Sequence, residues 1–155
     1  MMTETGTGKS VLQENIDHFN FDIIDEYKRV TIDVQNDSRF GSIFKKKNYD
    51  ATIRQFTKVK TDALMIDVEN IPTEDEGGEE IRNRFEKVLY KFNALCDAQI
   101  YFQTLMKKKA QKDGKIKMSE CKIAARKINE KTALLQDATS NLDVIYADYL
   151  EGEDE

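Results

Sequence analysis

The sequence predicts an all-α fold, an antiparallel up-down-up-down four-helix bundle with a long C-terminal helical hairpin. Three observations carry this expectation. The 155 residues include one Pro and seven Gly, so long stretches lack the breakers that a many-turned β fold would need. Apolar residues recur at spacings of three and four in four separate stretches. Short polar connections join those stretches, and short connections make antiparallel neighbours. The expected boundaries are a disordered tail over 1–10, one bundle domain over 11–150 and an acidic tail over 151–155.

Leu12, Ile16, Phe19, Ile23, Tyr27, Val30 and Val34 form the first stripe, the apolar face of a helix of about 25 residues. Asn36-Asp37-Ser38 and Gly41 favour turn geometry and close it. The second stripe runs Tyr49, Ile53, Phe56, Val59, Ala63 and Ile66, ending before Pro72. Thr57, Val59 and Thr61 lose rotamer freedom in a helix, so a kink or early end near Val68 is expected. Residues 70–78 read as an acidic linker that Gly77-Gly78 makes flexible.

The third helix carries the clearest heptads and is expected over about 79–111. Ile81, Val88, Leu95 and Phe102 share one position, with Phe85, Phe92, Gln99 and Met106 at the other. After a turn at Asp113-Gly114, the fourth helix starts near Ser119. Cys121, Ile128, Leu135, Leu142 and Tyr149 share one of its positions; Ala124, Lys131, Ala138 and Ile145 share the other. Gln99 and Lys131 are the strongly polar members of this seam and are expected in nearly the same layer, either fixing register or with Lys131 snorkelling outward. A ligand pocket at that layer is the other option.

Charge is sorted along the chain. Lys107, Lys108, Lys109, Lys112, Lys115, Lys117, Lys122, Arg126 and Lys127 crowd the hairpin turn, and Lys45, Lys46, Lys47 and Arg39 lie in the first loop. Up-down topology brings both loops to one end, where thirteen bases meet three acids. The acidic stretch 67–80, the acidic C-terminus and the N-terminus gather at the other end. Helix dipoles alone cannot do this, because antiparallel neighbours put opposite dipole ends at each pole. The net charge of −5 is therefore a poor guide to partners.

Several chemistries are poorly supplied. His18 is the only histidine, so one chain cannot assemble a Ser-His-Asp triad, a multi-His metal site or the paired Glu-x-x-His of a di-iron bundle. Gly6-Thr7-Gly8-Lys9-Ser10 ends like a P-loop, but Thr3 stands where the first Gly belongs and a strand feeding the loop is not expected. Thr73–Glu80 is acidic without the ligand order of a calcium loop. Cys96 and Cys121 lie roughly 15 Å apart along the expected hairpin, too far for a bridge, which implies two reduced thiols. No apolar run approaches the ~20 residues that cross a bilayer.

Tyr149-Leu150-Glu151-Gly152-Glu153 fits a Tyr-x-x-x-Asp/Glu pattern after a helical hairpin, and there the chain resembles small helical substrates of type VII secretion. It departs from them in lacking Trp, with Asp113-Gly114 in place of a Trp-x-Gly turn. The bundle reading instead puts Tyr149 in the last core layer. The expectation from the residues is a non-enzymatic, cytoplasmic interaction or assembly module without cofactor or membrane contact, whose partner is a protein or a second copy. One alternative is an accessory subunit of a nucleoprotein complex of a phage, plasmid or defence system. Its phosphate contacts would come from Lys45, Lys46, Lys47, Lys107, Lys108, Lys109, Lys112, Lys115 and Lys117, with Phe40, Phe44 and Tyr49 available to stack on bases. The other alternative is the secretion substrate or partner that the resemblance implies.

Overall fold

The computed structural model describes residues 9–36, 48–111 and 115–153. Its helices are α1 (Val11–His18), α2 (Ile24–Asn36), α3 (Tyr49–Leu64), α4 (Glu76–Ala110) and α5 (Met118–Glu153), with no strand among the described residues. The first predicted helix is thus α1 and α2 with a π-helical turn over Phe19–Ile23 between them. The Ile24 N–H donates to the Phe19 carbonyl across that wide turn. Both Phe19 and Ile23 remain buried, so the apolar stripe survives it.

Caps set the starts. The Ser10 hydroxyl accepts from the Gln13 N–H and the Gln13 side chain accepts from the Ser10 N–H, a closed capping box. Asn48 caps α3 through the Ala51 N–H. The α3 helix ends early, at Leu64, followed by a 3₁₀ turn over Val68–Asn70. Thr57 and Thr61 turn their hydroxyls back to the carbonyls of Ile53 and Thr57, the local competition that weakens such helices.

Two segments differ from expectation. Gly77 and Gly78 lie in the first turn of α4 instead of a flexible linker, because Asp75 caps that helix by accepting the Gly78 N–H at 2.7 Å. The Tyr149 ring also packs so closely on Gly77 that an added Cβ would meet it at 2.9 Å. At the other terminus α5 continues to Glu153, so part of the expected acidic tail is helical.

Contacts fix the topology. From Asp50 to Lys60 the chain advances along α3 while the ion-pair partners retreat from Lys107 to Asp97 on α4, so these helices are antiparallel. From Gly77 to Leu105 on α4, the partners on α5 retreat equally, from Tyr149 to Cys121. Phe19 meets Phe85 and Phe92 while Tyr27 meets Phe92 and Gln99, so α1–α2 runs parallel to α4. That is the up-down-up-down bundle. Its main core holds Phe19, Phe85, Phe92, Ile81, Leu95 and Leu142, and a smaller cluster of Leu105, Cys121 and Ala124 closes the hairpin tip. Ala124 leaves room there for half-buried Phe102 and Met106.

Candidate interaction surface

The same register sorts the charges. Lys107, Lys108 and Lys109 occupy the last turn of α4, where bases offset the exposed carbonyls. Lys117 lies just before α5, its N–H donating to Glu120 at 2.8 Å, and Lys122, Arg126 and Lys127 follow on exposed positions. Lys107 Nζ lies 2.7 Å from Asp50, which ties the start of α3 to this end. The described bases Lys107, Lys108, Lys109, Lys115 and Lys117 therefore converge at the hairpin tip. Lys45, Lys46, Lys47 and Lys112 lie outside the described residues, as do Arg39, Phe40 and Phe44.

At the opposite end the starts of α1 and α4 meet the last turns of α5. Tyr149 Oη lies 3.4 Å from Asp75, which brings Asp148 and Glu151 beside Glu74, Glu76 and Glu79. Arg82 and Arg84 are held locally there, by the Ile71 carbonyl and by Glu80. Lys9, the base of the P-loop-like stretch, pairs with Asp17 at 2.6 Å, and its neighbour Ser10 serves as the α1 cap.

The polar seam is built differently from a Gln99–Lys131 layer. Gln99 is buried and its Nε2 donates to the Tyr27 hydroxyl at 2.9 Å, across the bundle to α2. Burial pushes the Tyr27 phenol up to about 12, against the opposing effect of the Gln99 bond. Lys131 is half-buried on α5, about one turn from the level facing Gln99. Tyr27 was legible as a stripe residue; its hydroxyl partner was not, because heptads on α4 say nothing of the α2 register. Cys96 and Cys121 are both buried and unbridged, and burial pushes the Cys96 thiol up to about 12.

The remaining candidates hold little chemistry. His18 is exposed, its Nδ1 2.7 Å from Asp22 one turn on. A cleft of about 280 Å³ between α2 and α3 is lined by Asp33, Val34, Asn48, Thr52 and Gln55 among others, and Asp33 is engaged with Arg29. Among the described residues no group of three or more His, Cys, Asp or Glu is placed to hold a metal, and no helix is long and apolar enough to cross a membrane. The heptad reading also passed over exposed apolar residues at positions outside the seam, notably Tyr90, Tyr101, Ile123, Leu134 and Val144. No protein-family model, curated protein or solved structure matches this chain.

Proposed function

We propose that this chain is a non-enzymatic, cytoplasmic interaction or assembly module that engages partners through its two charged poles. The observation behind this reading is the antiparallel register that gathers Lys107–Lys109 with the bases opening α5, and sets Asp75, Glu76 and Glu79 beside the acidic end of α5. Exposed ion pairs stabilise a fold by less than about 1 kcal/mol each, so sorting charges this way gains little for the fold itself. It does supply steering and selectivity toward a charged partner.

The test is affinity isolation from the native host with and without nuclease, repeated with Lys108 and Lys109 reversed to Glu and with Asp148 and Glu151 reversed to Lys. A protein partner that survives nuclease and is lost on reversing one pole fits the module. A partner retained by both reversed forms removes the poles from its function. The exposed bases of the hairpin tip support a second reading, phosphate contact in a nucleoprotein complex. That reading expects binding to random nucleic acid at ~50 mM salt that is lost by ~200 mM.

A further inference from the structure

Six large apolar side chains are exposed on the α4–α5 hairpin: Met118 at the start of α5 is 52% exposed, and along the two helices Tyr90 is 71% exposed, Tyr101 54%, Ile123 53%, Leu134 40% and Val144 64%. Their spacing is regular. Tyr90 and Tyr101 are eleven residues apart, as are Ile123 and Leu134, which in each helix is three turns and therefore one face. The register of Gly77 with Tyr149 and of Leu105 with Cys121 sets Tyr101 within a turn of Ile123, and Tyr90 within a turn of Leu134.

Both helices turn this face away from the bundle. Tyr90 and Tyr101 lie opposite the buried Phe92 and Gln99 on α4; on α5 Val144 lies opposite Leu135, about 80° round the helix from Leu134 and at the outer edge of the face. The buried Cys121, Ala124, Leu135 and Leu142 mark the inner side of α5, and the exposed Ile123 and Leu134 lie roughly 100° round the helix from it. The result is one outward face, two helices wide.

Charge decides what fits it. Lys117 just precedes α5, which through Lys131 carries Lys122, Arg126, Lys127 and Lys131 with Glu120 and Glu130, and from 132 onward has acids and no base. Arg126 and Lys127 border the apolar face at one end; Asp137 and Asp148, again eleven apart, border it at the other. A two-fold axis lying in this face and perpendicular to the helices would set each basic half against a second copy's acidic half. A two-fold parallel to the helices would set like charge on like, which is destabilising. Helices of 35 and 36 residues give a face about 50 Å long and ~20 Å wide, or roughly 1,000 Å² per copy. That exceeds the ~800 Å² per partner of a standard interface.

We propose that the outward α4–α5 face pairs with the same face of a second copy in an antiparallel two-fold dimer, the basic hairpin tip of each beside the acidic end of the other. This rests on the interaction-module reading and names its partner. Such a contact is isologous and closes at two copies, unlike pole-to-pole stacking, which grows open chains.

The test is light scattering of the full chain over a concentration series at low and high salt. A particle of twice 17.9 kDa is expected, with an apparent Kd on the order of tenfold weaker in high salt. Tyr101→Glu with Leu134→Glu is expected to give monomers with unchanged helical circular dichroism. Arg126 and Lys127 reversed to Glu, or Asp137 and Asp148 reversed to Lys, should each give monomers, and mixing those two forms should restore the dimer. A monomer at every concentration, growth beyond two copies, a salt-insensitive dimer, or a dimer that survives Tyr101→Glu with Leu134→Glu would each overturn the proposal. A monomer that still captures a protein partner would sink the dimer and leave the interaction module standing.

Discussion

Tyr27 and Gln99 satisfy each other inside the bundle, and the consequence is measurable in two ways. Replacing Tyr27 with Phe leaves the Gln99 amide buried without its acceptor, a loss of about 1–3 kcal/mol. The phenol also makes stability depend on pH. Its folded pKa is about 12 against 10.0 unperturbed, so the unfolded chain loses this proton first. Its contribution is whole below pH 10.0 and falls as pH rises toward about 12, by up to about 2–3 kcal/mol. Cys96 acts in the same direction from 9.0 upward, so the measurement is the difference in urea midpoint between wild type and Tyr27→Phe at pH 9 and 11. An equal pH dependence in both chains would remove Tyr27 from the account.

Gly77 gives a sharper residue-scale test. In most helix interiors Gly→Ala gains roughly 0.5–1 kcal/mol. Here the new methyl would lie 2.9 Å from the Tyr149 ring, so Gly77→Ala is expected to lose a similar amount in the wild-type chain. With Tyr149→Ala as background the sign should reverse. A double-mutant cycle by denaturant titration reads the coupling directly.

Among the elements, the long hairpin was the most legible in sequence. Ile81, Phe85, Val88, Phe92 and Leu95 repeat on heptad positions because one face of α4 is buried, and periodicity reports burial. Gly77-Gly78 was illegible for the opposite reason. Local composition says flexible linker, and the ring that makes glycine necessary comes from a residue far along the chain. The π turn at Phe19–Ile23 was equally hidden, since spacings of three and four suit an ordinary helix as well. The charged poles were readable once topology was inferred, whereas the outward apolar face falls off the heptad and needed exposures to be seen.

The two cores differ in size, and so should the stability of the elements that bear them. Phe92 is fully buried against Phe19 and Tyr27 in the main core, whereas Leu105 belongs to the small cluster at the hairpin tip. Phe92→Ala is expected to cost about 3–5 kcal/mol of global stability. Leu105→Ala is expected chiefly to loosen the tip. Native-state hydrogen exchange would then speed in the last turns of α4 and the first of α5, with protection around Phe92–Gln99 retained. Uniform loss of protection along α4 would show the tip and the main core to be one cooperative unit.

For the whole molecule, the acidic pole holds a conflict between fold and partner. Glu151 sits in the last turn of α5, where the helix dipole disfavours an acid and no base is present. It also shares that end with Asp75, Glu76 and Glu79. Glu151→Lys relieves both effects and is expected to raise stability by roughly 0.5–1 kcal/mol, less in high salt because the charges are exposed. If the acid serves association, the same substitution must weaken partner or self-binding while the denaturant midpoint rises. That opposed response is what a site selected for binding at some cost in stability produces. Should midpoint and binding fall together, Glu151 would be holding the fold, and the poles would lose their claim to be where this molecule meets another.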